Sequence, residues 1–206
     1  MAEFFLELFS EEVPASLQKN ARENILESFK KLFDEKNLSF KKSLSYSVPN
    51  RLIILFQDLQ EEAIQQKEEI RGPNINSPNE ALNGFLKSNN IKKDQLFKKK
   101  TDKGEFYFLN KPEKILETKE ILETNIPIIL NKINWKKSMR WGEYELSWAR
   151  PLKSILAIFD HKTLIFKFHH LESSNVTFLD KEFESKTKKF SSFKVYNEYL
   201  KKLGII

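Results

Sequence analysis

Phe4-Phe5-Leu6-Glu7-Leu8-Phe9-Ser10-Glu11-Glu12-Val13-Pro14 sets the architecture of this chain. The run Phe4–Phe9 reads as a strand of mixed pattern, with Leu6 and Leu8 on one face. Pro14 then suits the first turn of a helix, where its missing amide costs nothing. From there Leu17, Ala21, Ile25, Phe29 and Leu32 recur at helical spacing through about Phe33, with Lys19, Glu23, Glu27 and Lys30 off the stripe. Glu11 and Glu12 fall where a helix dipole favours carboxylates. Two strands follow, Ser43–Val48 and Leu52–Leu59, separated by the tight connection Pro49-Asn50. Strand, helix, strand, strand predicts an α+β fold, with packed helices on mainly antiparallel sheet layers.

Further along, Arg71-Gly72-Pro73-Asn74 reads as a loop. Ser77-Pro78-Asn79-Glu80 reads as a capping box opening a short helix with Ala81, Leu82, Phe85 and Leu86. The lysines 92, 93, 98, 99, 100 and 103 mark a basic, loop-rich stretch before a strand over Glu105–Asn110. A helix is expected over Leu116–Ile133, with Pro127 a kink or boundary. Leu152–Phe159 and Thr163–Phe168 suit a strand pair around an Asp160-His161-Lys162 turn. Glu184–Ser192 is polar, and an amphipathic helix is expected over Val195–Leu203. The working division is residues 1–70, 71–135 and 136–206. The apolar finish Leu203-Gly204-Ile205-Ile206 reads as a chain whose architecture continues past it.

Composition bounds the function. The 206 residues are 40% hydrophobic, with 18 phenylalanines and five glycines, enough for a sizeable core. A net charge of +6 is compatible with a polyanionic partner and equally with a lysine-rich coding bias. There is no cysteine, which excludes disulfides and thiolate metal sites. The amino terminus lacks a basic n-region, and Glu7 interrupts its apolar run, unlike a signal peptide. With no apolar stretch near the ~20 residues that span a bilayer, a reducing, cytoplasmic setting without a membrane partner is the expectation.

Signatures of catalysis are mostly missing, and Glu11-Glu12 reads as helix-entry charge rather than an acid–base pair. The sequence holds no glycine-rich phosphate loop and no nucleophile elbow. His169 and His170 are strand neighbours pointing to opposite faces, without a wider ligand set, so no metal site is expected. The strongest candidate surface is Lys136-Lys137-Ser138-Met139-Arg140-Trp141-Gly142, followed by Trp148-Ala149-Arg150-Pro151. All three tryptophans lie here, each near a cation. Arg140 can pair with phosphate while Trp141 offers a stacking face, and Lys136 and Lys137 add phosphate attraction. The same residues suit a protein–protein hot spot. They also suit a structural role, with Trp141 and Trp148 plugging a sheet and Arg140 and Arg150 paired to carboxylates. Arg71 has the same ambiguity.

Taken in order, these segments resemble the amino-terminal part of the beta subunit of bacterial heterotetrameric glycyl-tRNA synthetase, an aminoacyl-tRNA ligase. The resemblance rests on Phe5-Leu6-Leu8 with Ser10-Glu11-Glu12-Val13-Pro14, on Pro49-Asn50-Arg51-Leu52, and on Arg71-Gly72-Pro73 before Ala81, Gly84 and Phe85. Lys137-Ser138-Met139-Arg140-Trp141-Gly142 and Trp148-Ala149-Arg150-Pro151 complete it. One departure stands out. The family usually follows a threonine with glycine-histidine-arginine-phenylalanine, whereas Thr177 precedes Phe178-Leu179-Asp180-Lys181.

The resemblance implies ATP-dependent attachment of glycine to its tRNA, with magnesium, in which the alpha subunit carries the active site. The beta subunit would hold tRNA and complete the assembly. The expected partners are therefore the alpha subunit and the tRNA for glycine, not DNA, and no cofactor is expected on this chain itself. Family members are several times longer, so the chain resembles a fragment. The competing readings are a stand-alone RNA-binding module and a protein-interaction domain.

Overall fold

Strand β1 (Ala2–Ser10) is apolar on both sides because both of its faces are covered. The computed structural model describes residues 1–65, 67–102, 104–179 and 186–206. Helix α1 (Ala15–Glu35) follows, then the hairpin of β2 (Lys42–Val48) and β3 (Arg51–Leu59) around Pro49-Asn50. The chain passes through β4 (Glu62–Gln65) to β5 (Glu68–Asn74), α2 (Asn79–Asn89), β6 (Leu96–Thr101) and β7 (Gly104–Lys111). It returns through β8 (Lys114–Glu117) to α3 (Thr118–Asn131), β9 (Met139–Arg140) and β10 (Ser147–Trp148). Then come β11 (Leu152–Phe159), β12 (Lys162–Thr163), β13 (Lys167–Phe168), β14 (Leu171–Ser174), β15 (Val176–Phe178), β16 (Thr187–Lys189) and α4 (Phe193–Lys202). The result is an α+β fold with sheets that are mainly antiparallel. Packing groups it into two compact units, residues 1–63 with 116–206, and residues 64–115.

The first unit is built on a sheet ordered β13-β14-β11-β1-β3-β2, with β12 also on β11. β1 lies between β11 and β3, antiparallel to both. Phe4, Leu6 and Leu8 face a core that includes Ala21, Ile25, Phe29 and Phe33 of α1 and Ile121, Leu122, Ile126 and Leu130 of α3. Phe5 faces the other way, into a second cluster with Ile53, Leu55, Leu156, Ile158 and, from α4, Tyr196 and Leu200. Alternation along the strand thus supplies two cores.

Glu7 interrupts the second face and is fully buried there. Its carboxylate accepts from Arg51 Nη1 at 2.9 Å, from the Thr177 hydroxyl and from the Tyr196 hydroxyl. Arg51, 1% exposed, also donates to Thr177 Oγ1 at 2.8 Å and to the Phe178 carbonyl, and lies 4.6 Å over the Phe9 ring. One network therefore ties β1, β3, β15 and α4.

Burial, and then the charge of Glu7, push the Tyr196 hydroxyl well above its ordinary pKa of about 10. Below that pH the folded and unfolded chains both keep the proton. Above it the unfolded chain releases the proton first, so stability falls as pH rises toward the folded pKa, by up to about 1.4 kcal/mol per pH unit. Urea unfolding of the wild type and Tyr196→Phe from pH 8 to 11 checks this. The wild type should lose its advantage from about pH 10 upward, and parallel curves would contradict it. Lysines titrate in both proteins and cancel in the comparison.

Several local expectations are revised. Glu11 and Glu12 precede the helix, whose first turn carries no acid. Glu11 instead faces Lys153 at 3.9 Å, and the Glu12 carbonyl accepts from Arg150. Pro78 is itself the N-cap of α2, and no side chain caps that helix, so Ser77 opens no capping box. α3 continues through Pro127 because Ile126, Ile129 and Leu130 are held in the core. The lysines 98–100 lie in a strand, not a loop. Asp160 and His161, with φ of 48° and 61°, make the left-handed two-residue turn expected of a tight hairpin. The returning strand is short. Leu164 still donates its amide to the Ala157 carbonyl at 3.0 Å, and beyond it Ser173 Oγ takes over, donating to the Leu164 carbonyl and accepting from the Phe166 amide. Arg71-Gly72-Pro73-Asn74 ends strand β5 instead of forming a loop. Lys103, the Asp180-Lys181 departure and the start of Glu184–Ser192 lie outside the described residues.

Candidate functional site: a tryptophan-anchored basic hairpin

The tryptophan segment is a two-layer device. Trp135 and Trp148, 9% and 2% exposed, meet edge to face at 5.1 Å, and Trp148 also meets Phe168 at 5.9 Å. Both indoles belong to the larger core. β9 and β10 rise from this anchor as a short antiparallel pair, with Met139 opposite Trp148 and Arg140 opposite Ser147. Gly142 takes a φ of +60°, which an L side chain rarely adopts, and so lets the chain turn. Trp141 is half-buried, and its Nε1 donates to the Trp148 carbonyl at 3.1 Å.

Beside the hairpin is an apolar cavity of about 170 Å³, lined by Trp141, Tyr144, Leu146, Trp148, Leu152 and His170 among others. Tyr144 and His170 stack at 3.6 Å with their planes 7° apart. Burial, and secondarily His169, lower the His170 pKa below its ordinary value, favouring the neutral ring.

Lys136, Lys137 and Arg140 are exposed, and none of their side chains forms a hydrogen bond or ion pair among the described residues. Arg150 is half-buried and donates through Nε to the Glu12 carbonyl at 3.1 Å. The structural reading therefore fits Trp148 but not Arg140, which has no carboxylate partner among the described residues. Five of the six candidates share this unit. Arg71 belongs to the other, where its guanidinium lies 3.7 Å over the Phe106 ring.

Among the described residues no group of three or more His, Cys, Asp or Glu could hold a metal ion. His161 meets the Ser191 carbonyl, His169 meets Asn131, and His170 stacks on Tyr144, so the three histidines serve separate contacts. No described helix is long and apolar enough to cross a membrane. Sequence reasoning missed the Glu7–Arg51–Thr177–Tyr196 network, whose one local sign was a carboxylate inside an apolar strand. It also missed the Tyr144–His170 stack, which joins residues 26 positions apart.

Comparison with known proteins identifies the family. A family profile described as glycyl-tRNA synthetase beta subunit matches residues 4–206. The glycine–tRNA ligase beta subunit of Rickettsia akari is 39% identical over 206 residues, covering all of this chain and 31% of its own length. That of Rickettsia conorii is 40% identical over 200 residues, 97% of this chain and 30% of its own length. That of Rickettsia prowazekii is 39% identical over 206 residues. The chain thus spans about a third of the relatives it matches, and it belongs to the glycyl-tRNA synthetase beta subunit family.

Proposed function

We propose that this chain serves a cytoplasmic glycine–tRNA ligase as a non-catalytic, positioning part of its beta subunit. It supports tRNA capture and assembly with the alpha subunit. In this reading glycine is activated with ATP and magnesium, and transferred to its tRNA, on the alpha subunit. The observation that carries the proposal is the basic hairpin segment: three exposed side-chain cations without a partner among the described residues, flanked by two buried indoles. Cations left unpaired on a fixed scaffold suit phosphate, because neutralising phosphates releases counterions. The apolar cavity alongside favours a subunit contact as the hairpin's other use. Positioning of this kind matters because holding reactants in attack geometry can remove roughly 7–11 kcal/mol of barrier.

Arg140→Ala in the full-length beta subunit tests this. The side chain is exposed, so stability should move by no more than about 0.5 kcal/mol. Loss of a charged hydrogen-bond donor should weaken tRNA binding roughly tenfold and reduce the salt slope by about one. If the surface faces the alpha subunit instead, association with that subunit should weaken. A folded variant in which neither quantity moves would exclude a surface role for the hairpin.

A further inference from the structure

The second unit presents a different surface. In its sheet, ordered β5-β7-β6, Phe97 lies opposite Phe108, Lys99 opposite Phe106, and Arg71 opposite Phe108. Directly opposed residues share a face, so Phe97, Lys99, Phe106, Phe108 and Arg71 form one continuous array. Helix α2 lies on the other side. Gly72 follows Arg71 and points away from the array, and a Cβ built on it would stand 3.0 Å from the Phe85 ring of α2. The phenylalanine face therefore has no helix of its own unit on it.

The chemistry of this face is specific. Phe97 and Phe106 are half-buried, and Phe97 meets Phe108 at 5.9 Å. Arg71 is exposed and its guanidinium lies over the Phe106 ring at 3.7 Å, without a hydrogen bond or ion pair among the described residues. Lys99 lies 5.4 Å from the Phe108 ring centroid and pairs with Glu69. Residues 64–115 hold eleven Lys and Arg against seven Asp and Glu, a net +4 of the chain's +6. A quarter of the chain carries most of its excess positive charge.

We propose that this face binds single-stranded RNA. One base stacks on Phe97 and another on the outer plane of the Arg71 guanidinium, while phosphates meet Arg71 and Lys99, displacing Glu69 from the latter. Aromatic rings and guanidinium planes on an open antiparallel sheet are a general means of holding unstacked bases, which a duplex cannot offer. Charge complementarity favours a polyanion over an apolar protein partner. The proposal rests on the RNA part of the proposed function and assigns it a second site, apart from the basic hairpin.

The test uses the full chain with two probes, a 12-nucleotide oligouridine and a glycine-accepting tRNA transcript, titrated between 50 and 200 mM salt. Phe97→Leu/Phe106→Leu keeps apolar volume and removes the stacking rings, and should weaken oligouridine binding by about fivefold or more. Arg71→Gln should lower the salt slope by about one. Irradiation of the wild type with oligouridine carrying 5-iodouridine should place crosslinks on Phe97 or Phe106, and this reading decides the matter should the leucine variant fail to fold.

Wild-type RNA binding that both variants leave unchanged, with crosslinks elsewhere, overturns this site and leaves the hairpin proposal standing. Loss of alpha-subunit association with RNA binding intact makes the face a protein contact and overturns the proposal. No binding of either RNA by the wild type overturns it together with the RNA part of the proposed function.

Discussion

Arg51→Met is expected to destabilise the chain by about 3–5 kcal/mol, the range for removing one partner of a buried ion pair. Arg51 and Glu7 are 1% and 0% exposed, so neither charge can turn to water if the other is lost. The variant leaves the Glu7 carboxylate with two hydroxyl donors, Thr177 and Tyr196, and no cation. It also frees the Phe178 carbonyl, removing one of the contacts that hold β15 to the sheet. The deficit is an uncompensated charge more than a lost attraction, and that distinction can be measured. Glu7→Leu/Arg51→Met removes both charges and should recover a large part of the loss, because a buried ion pair is often no better than an apolar replacement. Urea denaturation of the wild type, the single variants and the double variant gives the coupling directly. A single-variant loss below about 1 kcal/mol would mean the pair is far better solvated than its burial indicates.

That pair also marks where sequence reading stops. The α1 stripe and the β2–β3 hairpin were legible because helical period and turn chemistry are local, and the structure keeps Ala21, Ile25, Phe29 and Leu32 on the buried side. Arg51 was legible only as part of a turn entering a strand. Its partners lie 44 and 126 positions away, and no local pattern brings them together. β6 was hidden for another reason. It is an edge strand in which Lys98, Lys99 and Lys100 are all exposed, so charge, which protects an edge from unwanted pairing, masked the alternation. In the tryptophan segment the sequence located the cluster but could not rank its members. Trp141 and Trp148 have similar neighbours in the chain, and only the core contacts with Trp135 and Phe168 make one an anchor and the other a half-exposed wall.

Trp148→Ala should separate those two roles. Removing a buried indole costs about 3–5 kcal/mol, part lost transfer energy and part the cavity left behind. For a domain of this size that corresponds to a fall in Tm of very roughly 6–20 °C. The Trp148 ring packs on Trp135 and Phe168, and its strand β10 pairs with the strand that carries Arg140. If the hairpin works by holding Lys136, Lys137 and Arg140 in a fixed array, Trp148→Ala must also weaken tRNA or subunit binding at a temperature where the chain is still folded. Arg140→Ala should do the reverse, weakening binding while leaving Tm in place. Trp148→Phe, which keeps an aromatic ring in the core, should fall between the wild type and the alanine variant on both scales. Binding that survives Trp148→Ala in the folded protein would show that the cations act without their scaffold, and the anchored hairpin would then be a core element with incidental charge.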